Sequence, residues 1–100
     1  MWQVKIHRLV LKEDFKKLSP KQKEHILAVI KRKLSLAPEV YGKPLSGEFS
    51  GYWRLRVEDF RVIYRIVKDK IRVLVIKVGI RRDAAVYEAL FARLKKAGLV

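Results

Sequence analysis

Arginine recurs at alternate positions through the middle of the chain. Arg54 and Arg56, then Arg61 and Arg65, are set between Trp53, Leu55 and Val57 and between Val62, Tyr64 and Ile66. Alternate side chains of an extended strand leave on opposite faces, so two such strands make a sheet with one apolar and one cationic face. A guanidinium is a planar fork of donors that fits a phosphate and stays charged at every relevant pH. A row of them calls for a polyanion, with RNA the leading candidate. Lys77 on the following strand adds to this face, and Arg81 and Arg82 extend it past the strand's end. Tyr87 lies one helical turn beyond Asp83, where a final helix would lean over the sheet. A slip of one residue in either strand would bury these cations, so the facing is well specified.

Other chemistry is thinly provided for. His7 and His25 stand far apart with no metal-ligand spacing, and the chain has no cysteine, which excludes disulfides and thiolate metal sites. Glu48, Glu58 and Asp59 fall in loops and turns, where acidic residues are at home. Trp53 and Tyr64 read as core. Arg56 and Arg65 fit equally well as partners of carboxylates. In 100 residues there are 24 Lys and Arg against 10 Asp and Glu, a formal charge of +14. Such an excess describes partners more than fold, raising association rates with phosphate polymers and making binding salt-sensitive.

The elements that must position these residues follow from periodicity. Residues 2–8 alternate Trp2, Val4 and Ile6 with Gln3, Lys5 and His7, a half-buried strand. Leu11, Phe15 and Leu18 recur at helical spacing in a short first helix. A second helix opens with Ser19 as N-cap, Pro20 at its first position and Gln22 completing a capping box. It runs to about Leu36 and buries Ile26, Leu27, Ile30 and Leu34. Residues 37–50 hold two prolines and two glycines and read as a loop. Strands at 52–57, 60–68 and 71–78 follow, joined by the short turns Glu58-Asp59 and Asp69-Lys70 into antiparallel hairpins. In the last strand Leu74, Ile76 and Val78 are expected in the core, with Val73, Val75 and Lys77 opposite. Asp83 caps a final helix to about Lys96, with Val86, Leu90 and Leu94 inward and Gly98 at its end. The order β-α-α-β-β-β-α predicts one α+β domain over 1–100 with helices packed on an antiparallel sheet. No run approaches the roughly 20 apolar residues of a membrane span. The N-terminus reads as a strand, not a signal peptide, and a cytoplasmic protein is the expectation.

Several stretches together resemble one family. Pro44-Leu45-Ser46-Gly47, Gly51-Tyr52-Trp53-Arg54-Leu55-Arg56, Phe60-Arg61-Val62-Ile63-Tyr64 and Val78-Gly79-Ile80-Arg81-Arg82 before Val86-Tyr87 are similar, in order and spacing, to the RelE/ParE superfamily of toxins from type II toxin–antitoxin modules. The resemblance covers nearly the whole chain. It implies a small four-stranded antiparallel sheet with two N-terminal helices and a C-terminal helix.

Two activities are known in that superfamily. RelE-like toxins cleave messenger RNA in the ribosomal A site, whereas ParE-like toxins poison DNA gyrase without nuclease residues. Arg54, Arg61, Arg81 and Tyr87 stand where the RelE-like branch keeps its basic and tyrosine site residues, which favours an mRNA interferase. Tyr52 departs from that pattern, since some members carry a lysine there, and Arg54 stands where a lysine is common. The general base is therefore unassigned. The resemblance implies metal-independent and cofactor-independent cleavage by attack of the RNA 2′-hydroxyl on the adjacent phosphorus. Arg61 and Arg81 would clamp the scissile phosphate, Arg54 would neutralise charge beside the 2′-oxygen, and Tyr87 would stack on a base. Lys43, Arg56, Lys77 and Arg82 would contact RNA backbone. The implied partners are a cognate antitoxin, the 70S ribosome and mRNA, with no membrane and no small-molecule ligand.

Overall fold

The computed structural model describes residues 1–80 and 83–99, without the side chains of 83–86. Its centre is a sheet of five strands in the order β1-β5-β4-β3-β2. They are β1 (Gln3–Ile6), β2 (Lys43–Pro44), β3 (Tyr52–Val57), β4 (Phe60–Val67) and β5 (Arg72–Ile80). The α+β class is as expected, but the sheet is mixed: β1 runs parallel to β5, Gln3 opposite Arg72 and Ile6 opposite Val75. The other pairs are antiparallel. The extra strand, β2, is a two-residue edge within the expected loop. It holds Pro44, a residue that edges tolerate because it gives no ladder donor.

The long helix α1 (Pro20–Leu36) begins as its sequence dictates. The Ser19 hydroxyl accepts from the Gln22 amide at 3.1 Å, and the Gln22 side chain accepts from the Ser19 amide at 3.0 Å. Its buried residues are Ile26, Val29, Ile30 and Leu34, with Val29 more deeply placed than Leu27. A four-residue helix, α2 (Pro38–Tyr41), and a 3₁₀ turn at Gly47–Phe49 occupy more of the expected loop. The expected first helix is not α-helical: a π-turn at Val10–Asp14 passes into a 3₁₀ turn at Phe15–Lys17. The wider turn buries Val10, Asp14 and Phe15 and leaves Leu11 about half exposed.

Two cores flank the sheet. On one side α1, Val10 and Phe15 pack against Leu55, Val57, Val62, Tyr64, Val73, Val75 and Val78. On the other, Leu90 and Leu94 of α3 (Asp83–Lys96) join Phe49, Ile63 and Ile76. The expected facing of β3 and β4 holds. That of β5 is corrected: Val73 and Val75 face α1, and Leu74 and Ile76 face α3. The cause is a bulge. Ile63 pairs with Lys77 and Tyr64 with Val75, so Ile76 has no partner and the alternation changes phase there.

Tyr64 ties the α1 side together. Its hydroxyl donates to the Pro38 carbonyl at 2.6 Å, and its ring stacks on Trp53 with centroids 6.5 Å apart. Burial is the main reason its phenol is held well above the usual range, with the nearby Glu39 charge acting the same way.

Candidate functional site

The second face of the sheet is not an open plain of cations. The apolar residues Ile63, Ile76, Leu90 and Leu94 lie across its middle. What remains is a cationic corner at the β2–β3–β4 end. Lys43 pairs with Arg54, Arg54 with Ile63, and Arg56 with Arg61. Strand parity puts Lys43, Arg54, Arg56 and Arg61 on one face, with Arg54 and Arg61 diagonal neighbours roughly 7–8 Å apart at Cα. Lys43 and Arg56 are exposed and Arg54 is partly so, whereas Arg61 is 2% exposed.

Tyr87 comes to this corner from α3. The Arg54 Nη1 donates to the Tyr87 hydroxyl at 3.2 Å, across 33 residues of sequence. The Tyr87 ring lies 6.0 Å from that of Phe49 at an interplanar angle of 28°. Together the 44–49 segment, Arg54 and Tyr87 line a cleft of about 700 Å³, a size that suits a small ligand or a nucleotide. Gly47 adopts φ +65° in the wall, a left-handed conformation that glycine takes without steric cost. The cleft thus offers a fixed cation, a phenol and an aromatic surface, the groups that hold a phosphate and stack a base.

Other expected residues are placed differently. Lys77, expected among the backbone contacts, has its ammonium on Asp14 Oδ1 at 2.9 Å and its side chain only 12% exposed. Arg65 is exposed opposite Tyr52 and is the other diagonal neighbour of Arg54, on the side away from Arg56 and Arg61. Arg81 and Arg82 lie outside the described residues, as do the side chains of Asp83 and Val86. Neither histidine joins the corner: His7 Nδ1 accepts from the Leu9 amide at 3.1 Å, and the exposed His25 Nε2 lies 2.9 Å from Glu58. Among the described residues no group of three or more His, Cys, Asp or Glu could hold a metal ion, and no helix is long and apolar enough to cross a membrane.

Sequence reasoning missed Phe49, which forms the floor under Tyr87, and a buried ion cluster behind the site. Asp14 accepts from Arg93 Nη1 at 2.9 Å, Arg93 Nη2 at 2.8 Å, Lys77 Nζ at 2.9 Å and the Val78 amide at 2.9 Å. Arg93 also donates to the Ile76 carbonyl and to Glu13, both at 3.1 Å, and Glu13 pairs with Lys96. Burial works against the Arg93 charge, but Asp14 and then Glu13 outweigh it, and its pKa is raised above the usual guanidinium range. The hydrogen bond from Lys96 is the main reason the Glu13 carboxyl titrates below its usual 4.5.

Comparison with known proteins agrees with this fold. A chain of the RelBE2 toxin–antitoxin complex from Mycobacterium tuberculosis superposes with a TM-score of 0.67 at 29% identity, covering 80% of this chain and 98% of its own. The isolated RelE toxin of E. coli gives 0.65 at 19% identity over 94% of this chain and 99% of its own. The archaeal RelE–RelB complex from Pyrococcus horikoshii OT3 gives 0.59 at 23%, over 81% and 96%. No curated protein matches the sequence. The model of the ParE toxin of type II toxin–antitoxin systems, parDE, matches residues 4–85. A match over that much of the chain, on a fold shared with RelE toxins, makes this protein a member of the ParE toxin family within the RelE/ParE superfamily, the toxin component of a type II toxin–antitoxin system.

Proposed function

We propose that this toxin is a ribosome-dependent endoribonuclease that cuts messenger RNA in the A site and so stops translation. The reading is supported by one observation above others: Arg54, bonded to Tyr87 over the 44–49 cleft, with Lys43 and Arg56 on the same cationic corner. The RNA 2′-hydroxyl supplies the nucleophile. Its oxygen bonds to phosphorus as the bond to the 5′-oxygen breaks, leaving a 2′,3′-cyclic phosphate and a 5′-hydroxyl. The protein's task is to orient the phosphate and stabilise the added negative charge. Arg54 neutralises charge beside the 2′-oxygen, and Tyr87 positions the nucleotide by stacking. Arg61, expected to clamp the phosphate with Arg81, lies beneath the surface and supports the corner from below, so Arg81 alone holds the scissile phosphate and assists the leaving oxygen. Arg54 remains protonated and does not accept the 2′-hydroxyl proton, which passes to water as the departing 5′-oxygen takes a proton up from water. Lys43, Arg56 and Arg82 hold RNA backbone.

The same reading gives the toxin a cognate antitoxin. The relatives in the M. tuberculosis, E. coli and P. horikoshii complexes are toxins crystallised with theirs. An acidic antitoxin segment would complement a chain of charge +14. The end groups of the products test the chemistry. A 5′-hydroxyl that accepts label from a kinase without prior phosphatase, opposite a 3′ end that blocks ligation until the cyclic phosphate is opened and removed, is expected. A 5′-phosphate end would exclude the mechanism.

The family match favours a second reading, inhibition of DNA gyrase without nuclease chemistry. Gyrase supercoiling blocked by the purified toxin, with mRNA left intact on ribosomes, would establish it.

A further inference from the structure

We propose that Arg93 and Asp14 are positioning residues for Tyr87: their ion cluster sets the rotation and register of α3, and so where the phenol meets Arg54. The functional consequence rests on the nuclease reading above; the positioning itself does not. Among the described residues, Leu90 and Leu94 of α3 also pack on Ile63 and Ile76, and Tyr87 stacks on Phe49. Apolar contacts of this kind fix proximity but are non-directional, and they leave a helix free to roll or slide by a fraction of a turn. The guanidinium fork of Arg93 removes that freedom. It takes both carboxylate oxygens of Asp14 and the carbonyl of Ile76. Bidentate charge-assisted pairs carry such geometric demands.

The anchor points are fixed parts of the sheet. Ile76 is the bulge residue with no partner in the register. Its carbonyl is met by Arg93. Asp14 closes β5 where β1 ends: β1 pairs only as far as Ile6 opposite Val75, and Asp14 takes the Val78 amide beyond it. With Lys77 on Oδ1, each Asp14 oxygen has two donors, which fills a carboxylate's capacity. Arg93 is 4% and Asp14 5% exposed, so water does not compete for these bonds. Tyr87 lies six residues before Arg93, about 9 Å along the helix by the rise per residue. A small roll at Arg93 therefore moves the phenol away from Arg54.

The test reads Tyr87 directly. The chain has four tyrosines; with their rings isotope-labelled, the Tyr87 signal is assigned by its loss in Tyr87→Phe. Arg93→Lys keeps a cation but not the fork. It should shift the Tyr87 ring signal in the direction that Arg54→Ala does and leave that of buried Tyr64 unmoved. In ribosomal cleavage it should lower kcat by about tenfold with KM nearly unchanged, as a misplaced group does. The same substitution in a Tyr87→Ala background, which lacks both ring and hydroxyl, should cost nothing further. Asp14→Glu, which keeps the charge but displaces it by one methylene, serves as the second variant should Arg93→Lys not fold. A Tyr87 signal that stays put in the folded variant overturns the proposal, as does a loss undiminished in the Tyr87→Ala background. A wild type that does not cut, with the Tyr87 shift still present, ends the nuclease reading and leaves the positioning established.

Discussion

Arg54 and Tyr87 form one unit, since the phenol oxygen accepts from the guanidinium and the ring rests on Phe49. Tyr87→Phe removes the acceptor but keeps the stacking surface. It should therefore lower cleavage less than Arg54→Ala, and single-turnover rates on programmed ribosomes would rank the two; equal losses would mean that the hydroxyl and not the ring matters. Gly42 shows a different constraint. A Cβ there would stand 1.7 Å from the Tyr64 hydroxyl, itself bonded to Pro38. Gly42→Ala should destabilise the fold by about 3 kcal/mol or more by overpacking, measured by denaturant unfolding; a loss well under 1 kcal/mol would show that Tyr64 yields easily. The arginines at 54 and 56 were legible because charge alternating with apolar bulk has one sensible facing. The depth of Arg61 was not, because strand parity gives a face and not what lies over it.

At the scale of elements, local signals were readable and distant ones were not. Ser19, Pro20 and Gln22 announce α1 within four positions, and the structure makes both bonds of the box. The run Val73-Leu74-Val75-Ile76 is buried on both faces, so hydropathy carried no phase and the bulge at Ile76 left no mark. Asp14 resembled any charge on an exposed helix face, and its partner Arg93 stands 79 residues away. The Glu13–Lys96 and Glu13–Arg93 pairs also link the π-turn to α3. Because the folded pKa of Glu13 is depressed below 4.5, its contribution is complete above that pH and is lost as pH falls through the folded value. Glu13→Gln should flatten the loss of stability on acidification below about pH 4.5, followed by thermal melts across pH 2–6; a slope identical to wild type would contradict the pairing. Ile71, a β-branched residue at φ 49° between β4 and β5, stores strain. Ile71→Asn should stabilise by about 1 kcal/mol, some 4–8 °C in Tm for a domain of this size; a lower Tm would show that the side chain's packing outweighs the backbone.

For the whole molecule, charge is the dominant fact. A formal charge of +14 on 100 residues gives long-range attraction to phosphate polymers, and under the proposed reading the corner of Lys43, Arg54 and Arg56 is where the ribosome-bound RNA is held. Arg56→Ala should weaken RNA binding evenly across sequences and lower the slope of log affinity against log salt by about one. An unchanged slope would remove Arg56 from the interface. The two cores divide the labour: the α1 side holds the sheet together, and the α3 side leaves the cleft open at one end. The most direct test of the account is to map cuts in the A-site codon of 70S ribosomes programmed with a defined message, using wild type and Arg54→Ala. Cleavage by wild type that falls by at least two orders of magnitude in a folded Arg54→Ala is expected, from the loss of a transition-state donor. No cleavage by folded wild type, or full cleavage by the variant, would contradict it.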